Sequence, residues 1–129
     1  MTPRPAGNDR GALTLSYVII VPVLLLALSV ITQTALWYLA RQAALAAARQ
    51  GADAARVQNA QPSEGPVAAL SFARAAAPGY LRSPAATDAG SSAQTIQITV
   101  TGVVPSFVPG LVIHVSEVAQ APVERFSSP

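Results

Sequence analysis

The 129-residue chain has no cysteine. That excludes disulfide scaffolds, thiol catalysis and cysteine-based zinc sites together, while leaving the redox compartment open. Lysine is absent as well, all eight basic residues being arginine. The resulting net charge of +2 and pI near 9.7 reflect a small surplus. A nucleic-acid binder carries a dense basic patch instead, so no nucleic-acid partner is expected. Charged residues amount to 11% and aromatics to 5%, against 51% hydrophobic. Soluble domains carry about twice that charge, so this balance disfavours a free globule. The apolar excess belongs to a membrane segment or to alanine-rich helices.

Chemistry-bearing residues are equally sparse. Any nucleophilic triad needs His114, the single imidazole, and no local motif surrounds it. On a strand His114 shares a face with Val112 and Ser116, opposite the apolar positions, which makes it a solvent-facing residue. One histidine and the scattered carboxylates Asp9, Asp53, Glu64, Asp88, Glu117 and Glu124 give no metal-ligand spacing and read as solvated surface charge. Gly7 and Gly11 flank no strand and Gly51 lies in a helix pattern, so no phosphate loop is formed. No catalytic residue, cofactor or metal is assigned, and the expected role is non-enzymatic.

What the chain does have is a long uncharged run. Thirty residues separate Arg10 from Arg41 without a formal charge. As a helix they span about 45 Å, more than the roughly 30 Å of a bilayer core. Between Leu15 and Ile31 the polar side chains are Ser16, Tyr17 and Ser29, whose hydroxyls can return hydrogen bonds to the helix backbone. Trp37 and Tyr38 stand where an interfacial aromatic belt belongs, and Arg41 just beyond reaches for headgroups. Pro22 would kink this helix without ending it. A cleaved secretory signal is the competing reading, but its apolar region would be about half as long and would end at a small-x-small site.

Residues 41–60 are alanine-rich and free of proline, so the helix should continue to about Asn59, as a rod of about 70 Å. Ala43, Ala47, Gly51 and Ala55 recur at i, i+4 and form a flat seam for close approach of another helix or sheet; the plain alternative is an alanine-rich helix without partner specificity. Gln61 to Pro66 breaks the rod, and Ser63 or Glu64 caps a second helix from Val67 to about Ala77. Ser83 to Ser92 reads as loop. Alternation then predicts a strand over 95–102 with Ile96, Ile98 and Val100 inward, and a second over 111–120 with Leu111, Ile113 and Val115 on one face. Pro105 to Gly110 is the hairpin loop. Ala121 to Phe126 reads as a terminal edge segment, since Pro122 cannot donate to a ladder. Adjacent Glu124 and Arg125 suggest a small surface ion pair or a docking contact. So few elements bury too little surface to stand alone, so the sheet should pack on the upper half of the long helix.

The residues Asp9-Arg-Gly11, the stretch Leu15-Ser-Tyr-Val-Ile-Ile-Val-Pro22, the exit from Tyr38 to Ala55 and the terminal Pro122-Val-Glu-Arg-Phe126 together resemble pilin-like components of bacterial surface fibres. The resemblance is closer to the TadE-like family of the tight-adherence pilus system. It covers the first 55 residues well and the tail loosely. It implies a span beginning after a glycine cut by a prepilin-type peptidase, here between Gly11 and Ala12. The family pattern then has Glu at the fifth position followed by an aromatic, where this chain has Ser16 and Tyr17. In pilin-like proteins that Glu pairs with a neighbouring subunit's free amine, and Ser16 has no charge for this task. The resemblance with this departure implies an accessory or minor subunit. Gly11 reads equally as a helix-start glycine with no processing.

The expectation is thus an α+β, pilin-like architecture: a short cytoplasmic leader at 1–11, a transmembrane helix at 12–38, an extracytoplasmic continuation of the spine at 39–60, and a small head at 61–129 with one short helix and a β-hairpin at 94–120. Charge does not vote cleanly on topology, with Arg4 and Arg10 against Asp9 before the span and Arg41, Arg49 and Arg56 against Asp53 after it. The short N-terminal flank favours a cytoplasmic N-terminus and an extracytoplasmic head in a single-pass cell-membrane protein. Implied partners are membrane lipid, other TadE-like or pilin-like subunits, pilus assembly proteins and a prepilin-type peptidase, met by lateral helix packing through Ser16, Ser29, Thr32, Thr34 and the seam. The alternative is a membrane-tethered extracytoplasmic binding domain whose hairpin edge recruits a partner strand by β-augmentation.

Overall fold

The computed structural model describes Met1, residues 9–57 and residues 59–125, without the side chains of residues 9, 10 and 12. Most of the expected leader and Phe126 of the tail therefore lie outside the described residues. The chain divides into an N-terminal unit, Met1–Thr34, and a C-terminal unit, Ala35–Pro129. One helix, α1 at Asp9–Ala55, contributes to both.

Within the N-terminal unit α1 runs through Pro22. Proline removes one backbone donor, a loss that long apolar helices tolerate when neighbouring groups compensate. The large side chains from Leu13 to Ile31 are all exposed. Hydroxyls return to the helix backbone as their type predicts: Ser29 Oγ donates to the Leu25 carbonyl at 2.8 Å, and Thr32 Oγ1 to Leu28 at 2.9 Å. Thr34 Oγ1 donates to Val30 at 2.8 Å.

The C-terminal unit holds the rest of α1, then α2 (Glu64–Ala76) and three strands, β1 (Arg82–Thr87), β2 (Thr95–Val104) and β3 (Ile113–Pro122). The sheet is antiparallel in the order β1-β2-β3, so the expected α+β arrangement is present. Period-two patterning correctly marks the hairpin, whose register runs from Thr95↔Pro122 to Val104↔Ile113. Leu111 departs from expectation: it lies before β3 and is exposed, and the inward row is Ile113, Val115, Glu117, Ala119 and Ala121. Pro122 does occupy an edge strand, where a missing donor is harmless.

Two further expectations are corrected. Residues 83–87, within the segment read as loop, belong to edge strand β1, pairing Ala85 with Thr101 and Thr87 with Thr99. Its Arg-Ser-Pro-Ala-Ala-Thr sequence carries little strand propensity beyond Thr87, and the open edge of β2 supplies the order. A register shift between Arg82 and Ala85 and a left-handed Ser83 (φ 47°) accommodate Pro84. α1 ends at Ala55 and α2 begins at Glu64, with Ser63 at the N-cap making no side-chain cap bond. The cap residue is itself helical (φ −70°, ψ −16°), a geometry unlike the extended conformation that aims a cap hydroxyl at the free N–H groups.

The core joins Ala40, Ala44, Ala47, Ala48 and Ala52 of α1 to Ala69 and Ala73 of α2 and to Ile98, Val100 and Val104 of β2. With so many methyl-sized side chains, the elements must come close. At Gly51 a Cβ would lie 2.6 Å from the Gly65 carbonyl oxygen and 2.8 Å from Ala69 Cβ, so a hydrogen is all that fits. Gly102 serves likewise beneath Leu81, whose Cδ1 would be 2.3 Å from an added Cβ. Gly51→Leu should detach α2 and the sheet from α1, with an overpacking cost of about 3 kcal/mol or more. The expected outcome is a head readily cut in limited proteolysis while the protein still fractionates with membranes. Gly11→Ala, where nothing lies within 4 Å of the added Cβ, should leave the digestion pattern unchanged.

Candidate membrane and assembly surfaces

The N-terminal unit offers a helix surface long and apolar enough to cross a bilayer. Its most apolar 18-residue stretch has a mean hydropathy of 2.5, none of it buried within the chain. Gly11, Ser16 and Tyr17 are all exposed in this length of α1, and Ala12 follows Gly11 within the helix. Since α1 begins at Asp9, the Gly11–Ala12 bond lies in its first turn.

The seam is placed differently. Ala43 (8%), Ala47 (0%), Gly51 and Ala55 (8%) are all buried within the chain, under its own α2 and sheet. A parallel stripe, Ala40, Ala44, Ala48 and Ala52, is buried beside them. On α2 the answering residues are Gly65, Ala69 and Ala73, again four apart. The spacing that marked α1 for close packing was therefore legible, and its partner is intramolecular.

Sequence reasoning missed two polar clasps. Glu117 falls in the inward row of β3, between Val115 and Ala119, with its side chain 17% exposed. Arg41 meets it, Nε donating to Oε1 at 2.6 Å, and the same guanidinium lies 5.6 Å from the centre of the Trp37 ring. Arg41 is thus committed to the protein instead of projecting freely. The signal was present in the alternation itself: a Glu in phase with Ile113 and Val115 must point inward and needs a cation. At the other end of α1, Arg56 pairs with Asp53 at 3.2 Å and Glu124 at 3.6 Å. The tail docks there through the Glu124 N–H to the Arg56 carbonyl, 3.3 Å, and the Val123 N–H to the Gln94 carbonyl, 3.0 Å. Arg125 donates to the Ala93 carbonyl at 2.8 Å. Glu124 and Arg125 therefore reach separate partners, because adjacent residues on an extended segment point to opposite sides.

His114 is exposed on β3, as its phase in the strand predicts. The sheet's two edges differ in their capacity to accept another strand: β1 is interrupted by Pro84 and the irregularity beside it, while β3 ends at Pro122. Among the described residues no group of three or more His, Cys, Asp or Glu side chains is placed to hold a metal. Glu117→Ala should leave the Arg41 guanidinium without its carboxylate and destabilise the head by about 1 kcal/mol, a value kept low because Arg41 is half exposed. A double-mutant cycle with Arg41→Ala, read by thermal unfolding in detergent, checks the coupling.

The family model described as TadE-like protein matches residues 11–53. No curated protein and no solved structure matches the chain. The match begins at the glycine that opens the apolar span and ends within the alanine-rich length buried under the head. Over that third of its length, the apolar span together with most of the seam, the chain is similar to the TadE-like family.

Proposed function

We propose that the protein is a non-enzymatic, single-pass membrane component of a tight-adherence-type pilus or secretion assembly, acting by lateral packing of its α1 span against other subunits. The TadE-like match supports a pilus assembly component. The observation that favours the span as the working surface is the division along α1: side chains from Leu13 to Ile31 are exposed, whereas Ala40 to Ala55 include the buried seam. With the seam covered by the chain's own head, the uncovered helix is what remains for neighbours. In lipid, apolar contact alone gives helices no drive to associate, so close packing and hydroxyl groups must supply it. Ser29, Thr32 and Thr34 each spend their proton on the helix backbone and keep acceptor capacity for an adjacent helix. The head is assigned to the extracytoplasmic side, where a surface fibre is built, and Gly11–Ala12 to a prepilin-type peptidase. Ser16 in place of Glu favours an accessory or minor subunit over the main fibre subunit.

Replacing residues 12–36 by an unrelated transmembrane helix tests the reading. The expected result is a chain that still inserts and keeps a protease-resistant head but no longer supports pilus assembly. Retained assembly would show a generic anchor and overturn it. Intact mass of the membrane-extracted protein provides a second check. A start at Ala12 establishes processing, a start at Met1 or Thr2 leaves a permanently anchored accessory subunit, and a start beyond Trp37 removes the span and refutes the proposal.

A further inference from the structure

The hairpin loop between β2 and β3 is unlike the rest of the head's surface. From Val103 to Ile113 the sequence carries no charged residue, and Phe107 (62%), Val108 (56%), Leu111 (48%) and Val112 (59%) are exposed together at its tip. An apolar cluster of this kind on a loop marks a contact surface. Its position within the C-terminal unit says which end of that unit it occupies. Two contacts set β3 and its tail alongside α1: Glu117 on Arg41 and Glu124 on Arg56. Seven residues of extended chain between Glu117 and Glu124 cover about 23 Å, and fifteen residues of helix between Arg41 and Arg56 cover about 22 Å. Strand and helix therefore advance together in the same direction. Continuing back from Glu117 to Ile113 adds about 13 Å of strand, whereas Arg41 to Trp37 is about 6 Å of helix. Within the C-terminal unit the loop thus lies past Trp37, at the end where that unit begins with Ala35.

From this placement we infer that residues 107–112 form a second membrane contact, inserting into the headgroup boundary of the bilayer beside the Trp37–Tyr38 belt. This rests on the reading of α1 as a membrane span. Four backbone nitrogens in the loop need no water partner. The Val108 N–H donates to Ser106 Oγ at 3.1 Å and the Leu111 N–H to the Val108 carbonyl at 3.2 Å, and Pro105 and Pro109 have no N–H to satisfy. Gly110, at φ 80°, makes the tight turn that gathers these side chains. One row across the sheet, Arg82, Val103 and His114 stand in register behind the tip, with Arg82 and His114 exposed. A cation and an imidazole at that level match an apolar tip in acyl chains with polar groups among the headgroups.

The absence of native cysteine makes the test direct. Single cysteines at Val108, at Leu25 in the span and at Ser71 on the exposed face of α2 are labelled with an environment-sensitive fluorophore, in the full chain reconstituted at high lipid excess. Vesicles with and without nitroxide-bearing phospholipid are then compared. Blue-shifted emission and loss of intensity to the lipid nitroxide at positions 108 and 25, with neither at 71, is the expected result. Quenching at 25 alone overturns the inference and leaves the span intact. A blue shift at 108 without lipid quenching assigns the loop to a protein neighbour and also overturns it. Absence of quenching at both 108 and 25 removes the span and the loop contact together.

Discussion

Ile98 sits over two glycines on two different helices. A Cβ at Gly51 would lie 3.1 Å from Ile98 Cγ2, and one at Gly65 2.8 Å from Ile98 Cδ1, while the two glycine backbones approach each other within the same space. The head depends on this contact because its core has little else of size: the largest fully buried side chains are Ile98, Val100 and Val104. Alanine contributes most of the remaining core. A methyl group gains dispersion and burial only if its neighbours come close. The missing Cβ atoms are what allow α1, α2 and β2 to converge far enough for an alanine core to be filled.

The same constraint explains the polar groups at the margins. An alanine-lined contact resists sliding poorly, since its side chains interdigitate little. Arg41–Glu117 and Arg56–Glu124 fix β3 and its tail at one level of α1 and just past its C-terminal end. Each pair is partly exposed, so its value lies more in fixing register than in stability. Together they commit the alanine-rich part of the TadE-like segment to the inside of the head. Among the described residues, the large side chains of the apolar part, from Leu13 to Ile31, are exposed.

Legibility in the sequence followed the physical origin of each feature. The apolar span was readable because it depends on composition over one continuous stretch. The β2–β3 hairpin was readable because alternating burial leaves alternating residues. The seam at Ala43, Ala47, Gly51 and Ala55 was visible as a pattern, but a pattern of small residues says that something approaches without saying what. β1 left no trace, because Pro84, Ala85 and Ala86 are in a strand only through the edge of β2. Leu111 misled because its phase continues that of Ile113, and the loop, not the alternation, decides where pairing stops.

The sequence by itself thus determined the membrane-length helix, the helical character of its alanine-rich continuation, the hairpin and the solvent-facing place of His114. All of these arise from interactions between near neighbours or from the period of burial. Tertiary structure alone decided that α2 covers the seam beside the sheet and that β1 completes the sheet, whereas packing of the sheet on the upper helix followed already from the shortage of core. It also decided that Arg41 and Arg56 receive carboxylates from residues far along the chain. Each of those choices joins groups whose separation in sequence is large, and their selection rests on the space left by Gly51 and Gly65 once all the elements meet.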